Sequence, residues 1–493
     1  MSFFQYMVLL FLFLEINAKY IFVMTHFRHG ARAPQKFYNK EKYLDYALEY
    51  WNKPGELTAA GQRMHYLLGI RNRIRYIDNG GDFLSDKFDP HEILIYSSCI
   101  NRTIISVASQ LQGFYPQYSQ KGEYIYENQT NYSNPQVSIN YAVINEAIEK
   151  LGNNSLPDSM ILVPIRMINI NEKKMRLYDT GKCKEKVKEI KNKNAKNLST
   201  LLDIVEKFKI KFSDNLKDFY GEDNNYDIQF IENFCDAFIS SYNERRNMKL
   251  IKSGLNETEL KDYCDEFQIK NFRDWVLGDN EHSLAYLESS KLMGEFIYYM
   301  DKRIQNDIKK NKDPNDDVDK NLDDYSNPKM LMISGHDTTI SCFEVFLFVA
   351  FDKNIIEFYR YPQFASQISF EVVTKDGIKG EKEEDYLVKY YFDDDPIFEI
   401  SVPEFKKKVI PLIWDEQKID SFCGYSNERK EQNKSDSENN KNYNLMTICL
   451  IIFISLTFIF LITTIVLCIK LIKNNKHESR IYNSLMPIND EEK

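Results

Sequence analysis

The chain has 493 residues, a formal net charge of −9 at pH 7, and 43% hydrophobic and 14% aromatic residues. It is too long for one ordinary core and suits a large, well-filled α/β architecture of two or three domains. Its charge is modest and mixed, without a basic stripe, so nothing in it asks for nucleic acid as a partner.

In chain order, Met7 to Leu14 is apolar and is followed by the small residue Ala18, so residues 1–18 read as a signal peptide, although no Lys or Arg precedes the run. Tyr20 to Phe27 predicts a buried strand ending at Arg28-His29-Gly30. Glu56 to Ile77 has helical spacing of apolar residues, Glu92 to Tyr96 predicts the next strand, and Thr103 to Gln112 predicts a helix after Ser97 to Arg102. Lys329 to Ile333, then Ser334-Gly335-His336-Asp337, then a helix from Thr338 to about Phe351 repeat the strand-to-helix arrangement. Such turns at the carboxyl ends of strands are where open α/β sheets gather ligands.

Between these elements, residues 183–303 turn rich in Lys, Glu and Asn with few strand signals, and predict an inserted, mainly helical domain. The α/β domain then comprises 19–182 and 304–424. Residues 301–327 read as a charged loop, and Lys375 to Asp385 as a turn between two β-rich runs.

Residues 425–444 form a polar linker before an uncharged run, 445–469, long enough for about 37 Å of helix. Lys470, Lys473, Lys476 and Arg480 follow, which places the tail, 470–493, in the cytoplasm and the bulk of the chain in a lumenal or extracellular, oxidising compartment. Cys99, Cys183, Cys235, Cys264, Cys342 and Cys423 are available there for disulfides, with every pairing open. Sequons at Asn101, Asn128, Asn131, Asn153, Asn197, Asn256 and Asn433 suit a glycosylated surface.

The chemistry concentrates in Arg28-His29-Gly30-Ala31-Arg32-Ala33-Pro34. Two arginines around a histidine repel a metal ion and favour an anion: guanidinium groups offer paired hydrogen bonds to phosphate oxygens, and a neutral imidazole can attack phosphorus. Gly30 lets backbone come close. Read singly, Arg102 is an ordinary surface arginine and His336-Asp337 an ordinary helix start. His65 and His26 have no assigned task.

The Arg-His-Gly-x-Arg-x-Pro pattern resembles the histidine phosphatase superfamily, in its acid phosphatase branch. Leu57-Thr58-Ala59-Ala60-Gly61, Ser97-Ser98-Cys99-Ile100-Asn101-Arg102-Thr103 and Ser334-Gly335-His336-Asp337-Thr338-Thr339 resemble further motifs of that family, in its order. The resemblance implies a mostly parallel, phosphoglycerate mutase-like sheet flanked by helices, with a helical cap. It implies His29 as nucleophile, Arg28, Arg32, Arg102 and His336 as phosphate ligands, and Asp337 as proton donor, in a covalent route that requires neither metal nor cofactor.

It also implies a Cys183–Cys423 bridge. Cys235 resembles the first member of a second bridge whose usual partner is missing, with Cys264 as the substitute and Cys99 and Cys342 left as buried thiols.

The expected substrates are phosphate monoesters; a phytase-like enzyme and an inactive receptor ectodomain on the same fold are the alternatives. The expected setting is a single-pass membrane protein, lysosomal, endosomal or at the cell surface, whose Tyr482-Asn483-Ser484-Leu485 is read by an endocytic sorting adaptor. The oligomeric state is left open, a homodimer included.

Overall fold

The computed structural model describes residues 18–37, 47, 49, 51, 53–116, 133, 145–157, 160–168, 175, 181–194, 199–220, 226–245, 256–277, 282–313, 327–354, 357, 359–375, 379–425, 462–467 and 469–470. The chain forms two units, residues 1–423 and 424–493.

In the first unit the elements begin with strand β1 (Tyr20–Arg28), helix α1 (Ala59–Arg73), a π-helical turn (Ile74–Asp78), β2 (Ile93–Ser98) and α2 (Asn101–Phe114). Helix α3 (Asn145–Leu151) and β3 (Arg166–Ile168) follow, then α4 (Gly181–Asn194), α5 (Ser199–Tyr220), α6 (Ile228–Asn243), α7 (Glu257–Leu277) and α8 (Ser283–Lys312). The chain returns to the sheet with β4 (Met330–Gly335), α9 (Asp337–Ala350), β5 (Gln367–Thr374), β6 (Tyr386–Phe392) and β7 (Asp395–Ser401), and ends in α10 (Val402–Val409) and α11 (Glu416–Cys423).

Among the described residues seven strands lie in the order β3-β2-β4-β1-β5-β6-β7. Period-2 alternation divides β1 between two cores. Phe22 and Met24 pack with Leu331, Ile333 and Phe370 against Phe296 and Met300 of α8 and Phe343 and Leu347 of α9. Val23 and Phe27 pack on the other side with Val107, Leu111 and Phe114 of α2. Both faces of the sheet are thus covered, which is why β1 is mainly apolar and buried after its first residue.

The sheet is half parallel and half antiparallel rather than mostly parallel. β3, β2, β4 and β1 run parallel, whereas the β1–β5, β5–β6 and β6–β7 pairs are antiparallel. For β5–β6 and β6–β7 the cause is chain length between strands: a parallel pair needs a crossover of a dozen or more residues. Only Asp393 and Asp394 separate β6 from β7, which permits nothing but a hairpin.

Helices α5, α6 and α7 build a separate apolar cluster around Phe208, Phe212, Phe234 and Phe267, joined by Ala33 and Trp51 from the loop after β1. The expected boundary at 303/304 falls inside α8, and the expected loop over 301–327 is helical as far as Lys312. Leu292, Phe296, Met300 and Ile304 recur at helical spacing and bury one stripe of α8 against the sheet; its Lys- and Asn-rich opposite stripe gives the sequence its loop-like look.

Cys183 is bonded to Cys423, and Cys235 to Cys264. Cys342 is buried, but Cys99 is exposed, because it lies in the turn beyond the last buried residue of β2. The sequon residues Asn101, Asn153 and Asn256 are exposed; Asn128, Asn131, Asn197 and Asn433 lie outside the described residues.

In the second unit, residues 462–467 and 469–470 are helical and exposed. Among the described residues no helix is long and apolar enough to cross a membrane. The expected leader, most of the linker, most of the 445–469 run and Tyr482 to Leu485 lie outside the described residues.

Candidate active site

Strand register assembles the site. β1 and β4 pair with Arg28 opposite Gly335, so the next residues, His29 and His336, emerge side by side, and the His29 amide donates to the Gly335 carbonyl at 3.2 Å. β2 pairs with β4 at Ser97 and Ser334, which brings Ser98 and the first turn of α2, with Arg102, to the same edge. A single cavity of about 470 Å³ is lined by Arg28, His29, Arg32, Arg102, His336 and Asp337, together with residues of α4, α6 and α7. The six residues singled out in the sequence thus meet there.

Arg28, His29, Arg32 and His336 are 4%, 1%, 2% and 3% exposed. Close backbone contact holds the loop after β1, which carries His29 and Arg32: a Cβ on Gly30 would stand 2.4 Å from the carbonyl oxygen of Gly61 in α1. Thr58 caps α1, its hydroxyl accepting from the Gly61 amide at 3.1 Å, and its own amide donates to the Ala31 carbonyl at 3.0 Å, so the loop and the helix start are one hydrogen-bonded piece.

His29 Nδ1 lies 2.9 Å from the Gly30 carbonyl oxygen. A carbonyl only accepts, so Nδ1 carries the proton and Nε2 holds the lone pair. Burial first, and then the positive charges of Arg102, Arg28 and Arg32 and the His336 ring, hold the His29 pKa well below its ordinary value, and the ring stays neutral.

Arg28 is fixed on several sides: Nη1 donates to the Pro362 carbonyl at 2.7 Å, Nη2 pairs with Asp337 Oδ2 at 2.7 Å, and the guanidinium stacks 4.5 Å from the centre of the Phe364 ring. Arg32 pairs with Asp236 at 2.7 Å and also lies over Phe364, at 5.7 Å. His336 Nε2 is 2.9 Å from Ser98 Oγ, which is in turn 2.8 Å from Thr103 Oγ1. Asp337 is the first residue of α9, and its Oδ1 accepts from the Thr338 amide at 2.8 Å.

Asp236, Ser98 and Phe364 are the site residues that sequence reasoning missed. Asp236 comes from the helical layer, with only its neighbour Cys235 as a marker; Ser98 stood inside a quoted motif without a task; Phe364 lies in a loop with no periodic signal. His65 is a packed core histidine, Nδ1 donating to Gln110 Oε1 at 3.0 Å, and His26 is buried within β1. Among the described residues no group of three or more His, Cys, Asp and Glu side chains is placed to hold a metal ion.

Fold and site define a class: an α/β sheet with a buried neutral imidazole, surrounded by arginines, at the carboxyl edge of its parallel half. The family model described as histidine phosphatase superfamily (branch 2) matches residues 20–393, and the chain belongs to that superfamily. It is 33% identical over 96 residues to the lysosomal acid phosphatase of Xenopus laevis, covering 19% of this chain and 21% of that one. It is 28% identical over 177 residues to the venom acid phosphatase Acph-1 of Apis mellifera, covering 35% and 42%. These matches therefore span about a fifth and two fifths of the relatives' own lengths. Among solved structures, the multiple inositol polyphosphate phosphatase of Bifidobacterium longum with inositol hexasulfate is similar at TM-score 0.47 and 13% identity, covering 78% of this chain and 88% of that one.

Proposed function

We propose that this protein hydrolyses phosphate monoesters through a phosphohistidine formed on His29. The observation that carries the reading is the engagement of His29 Nδ1 with Gly30, which aims an unprotonated Nε2 into a cavity walled by Arg28, Arg32 and Arg102. The Nε2 lone pair forms a bond to phosphorus as the ester P–O bond breaks, and the protonated Asp337 carboxyl gives its proton to the departing alkoxide. The three arginines and His336 hold the equatorial oxygens, where charge spreads in the transition state. Water, losing its proton to Asp337, then breaks the P–N bond and releases phosphate.

An ordinary histidine would be protonated and inert as a nucleophile in acid, whereas the depressed pKa of His29 keeps its lone pair there. The acid step needs a proton on the carboxyl that meets the departing oxygen. The fixed guanidinium charge supplies the field that a metal ion would otherwise provide, and a chelator should leave turnover unchanged.

The test is a quenched turnover with radiolabelled substrate. The reading expects an acid-labile, base-stable phosphoenzyme in the wild type and none in folded His29→Ala, with turnover abolished. Substantial activity in that variant sinks the mechanism.

Lys184 and Lys188 line the same cavity and support a second, phytase-like reading. A preference for inositol hexakisphosphate over simple monoesters would decide for it.

The apolar run 445–469 and the basic residues beyond it support a single-pass anchor with a lumenal catalytic unit, and Tyr482 to Leu485 supports endolysosomal sorting. Release of the protein from membranes by carbonate rather than detergent overturns the anchor; an unchanged surface fraction in Tyr482→Ala overturns the sorting motif.

A further inference from the structure

We infer that Asp236, on the helical layer, is a positioning residue that turns one edge of the Arg32 guanidinium toward the phosphoryl group, an inference that rests on the phosphatase reading above. Arg32 Nη2 donates to Asp236 Oδ1 at 2.7 Å and Nη1 to Oδ2 at 3.3 Å, an end-on fork. Nη1 also donates to the Ala33 carbonyl at 3.0 Å. A guanidinium has five N–H donors, and this pattern occupies both of those on Nη1 and one on Nη2.

The remaining donors, Nε–H and the second Nη2–H, form the side-on edge, which matches two oxygens of one phosphate. Nε is buried and has no hydrogen-bond partner among the described residues, a costly state unless an anion fills the place.

The carboxylate is itself held. Asp236 Oδ2 accepts from the Gln35 amide at 2.7 Å, tying it to the loop that carries Arg32. Its helix, α6, is fixed to α7 by the Cys235–Cys264 bond, and Glu244, capping the end of α6, accepts from the Thr58 hydroxyl at the start of α1. The helical layer therefore grips the phosphate loop at two points and aims one of its arginines.

Charge alone predicts the opposite effect of removing Asp236. It lines the same cavity and repels a bound phosphate, so a simple counter-charge would, on removal, leave tighter phosphate binding. A positioning carboxylate would, on removal, free Arg32 to rotate, and a misplacement of about 1 Å costs on the order of 100-fold in rate.

The experiment measures steady-state kinetics with an aryl phosphate and calorimetric binding of inorganic phosphate for wild type, Asp236→Ala and Asp236→Asn. Thermal melts and thiol counts confirm that each variant is folded with both disulfides intact. Asp236→Ala should lose roughly 10- to 100-fold in kcat/KM, with both a lower kcat and weaker phosphate binding, and Asp236→Asn, which still accepts hydrogen bonds, should recover part of the loss. Equal or tighter phosphate binding in Asp236→Ala with unchanged kcat overturns the inference. A wild type that binds phosphate without turnover overturns the enzyme reading alone, because the binding comparison still reports on Arg32; a wild type that binds none overturns both.

Discussion

His29 and Gly30 are bonded through a contact between immediate neighbours: the imidazole Nδ1 donates to the carbonyl oxygen of the following residue across 2.9 Å. The tautomer is therefore set by the backbone of the loop and not by a separate carboxylate. Gly30 is in turn pressed against Gly61, where an added Cβ would stand 2.4 Å from the carbonyl oxygen and 2.7 Å from the Cα. Backbone on both sides cannot yield cheaply, so Gly30→Ala must part the loop from α1. We expect a destabilisation of about 1–3 kcal/mol, as for overpacked cores, and a loss of kcat in the folded protein. A variant with wild-type melting and kcat would show that the loop has slack.

Asp337 pairs with Arg28 at 2.7 Å and sits at the mouth of α9, where either a proton donor or a helix cap could stand. Leaving groups separate the two. If it protonates the departing oxygen, Asp337→Asn should slow an alkyl phosphate far more than nitrophenyl phosphate, whose phenolate leaves unaided. Equal losses for both substrates would assign it a structural task.

His26 is fully buried, neither ring nitrogen has a hydrogen-bond partner among the described residues, and burial pushes its pKa down to about 3. Between pH 6.5 and about 3 the unfolded chain binds a proton here that the folded chain does not, so stability falls as pH falls through that window. His26→Leu should flatten this dependence by on the order of 1 kcal/mol per pH unit and move the acid-unfolding midpoint to lower pH, followed by circular dichroism. Identical acid midpoints for variant and wild type would rule the effect out.

The Cys183–Cys423 bond closes a span of 240 residues and ties α4 to α11. Cys183→Ser should cost about 2–5 kcal/mol of stability. Because α4 presents Lys184, Val187 and Lys188 to the cavity, KM should also rise, while kcat for a small substrate stays near wild type. A folded variant with the wild-type Tm and KM would make the bond a passive staple.

The strand-turn-helix units around His29, Arg102 and His336 were legible in the sequence because each combines a short apolar run, a polar turn and a helix whose burial pattern is local. The Cys183–Cys423 pair and the Cys235 half of the second pair were legible through family resemblance, since spacing leaves every pairing open; Cys264 stands in for a family partner that this chain lacks. Sheet direction was misjudged at β5 to β7 because apolar runs carry no sign of orientation; only the Asp393-Asp394 spacing could have revealed the hairpin. α8 was cut at residue 303 because its solvated stripe hides the buried one. Asp236 escaped notice because its meaning is entirely tertiary: nothing near it in the chain points to Arg32.

Helix α7 has one end in each of two cores. Leu260, Tyr263, Cys264 and Phe267 belong to the cluster of the helical layer, while Val276 belongs to the sheet cluster, with Phe272 and Trp275 packed against it. The stretch between them, Gln268 and Asn271, faces the cavity. A rod shared in this way denies the two layers independent melting: neither cluster can dissolve without pulling residues out of the other. The catalytic unit should therefore denature as one cooperative body in calorimetry, and the helical layer, excised at residues 183 and 303, should not fold by itself.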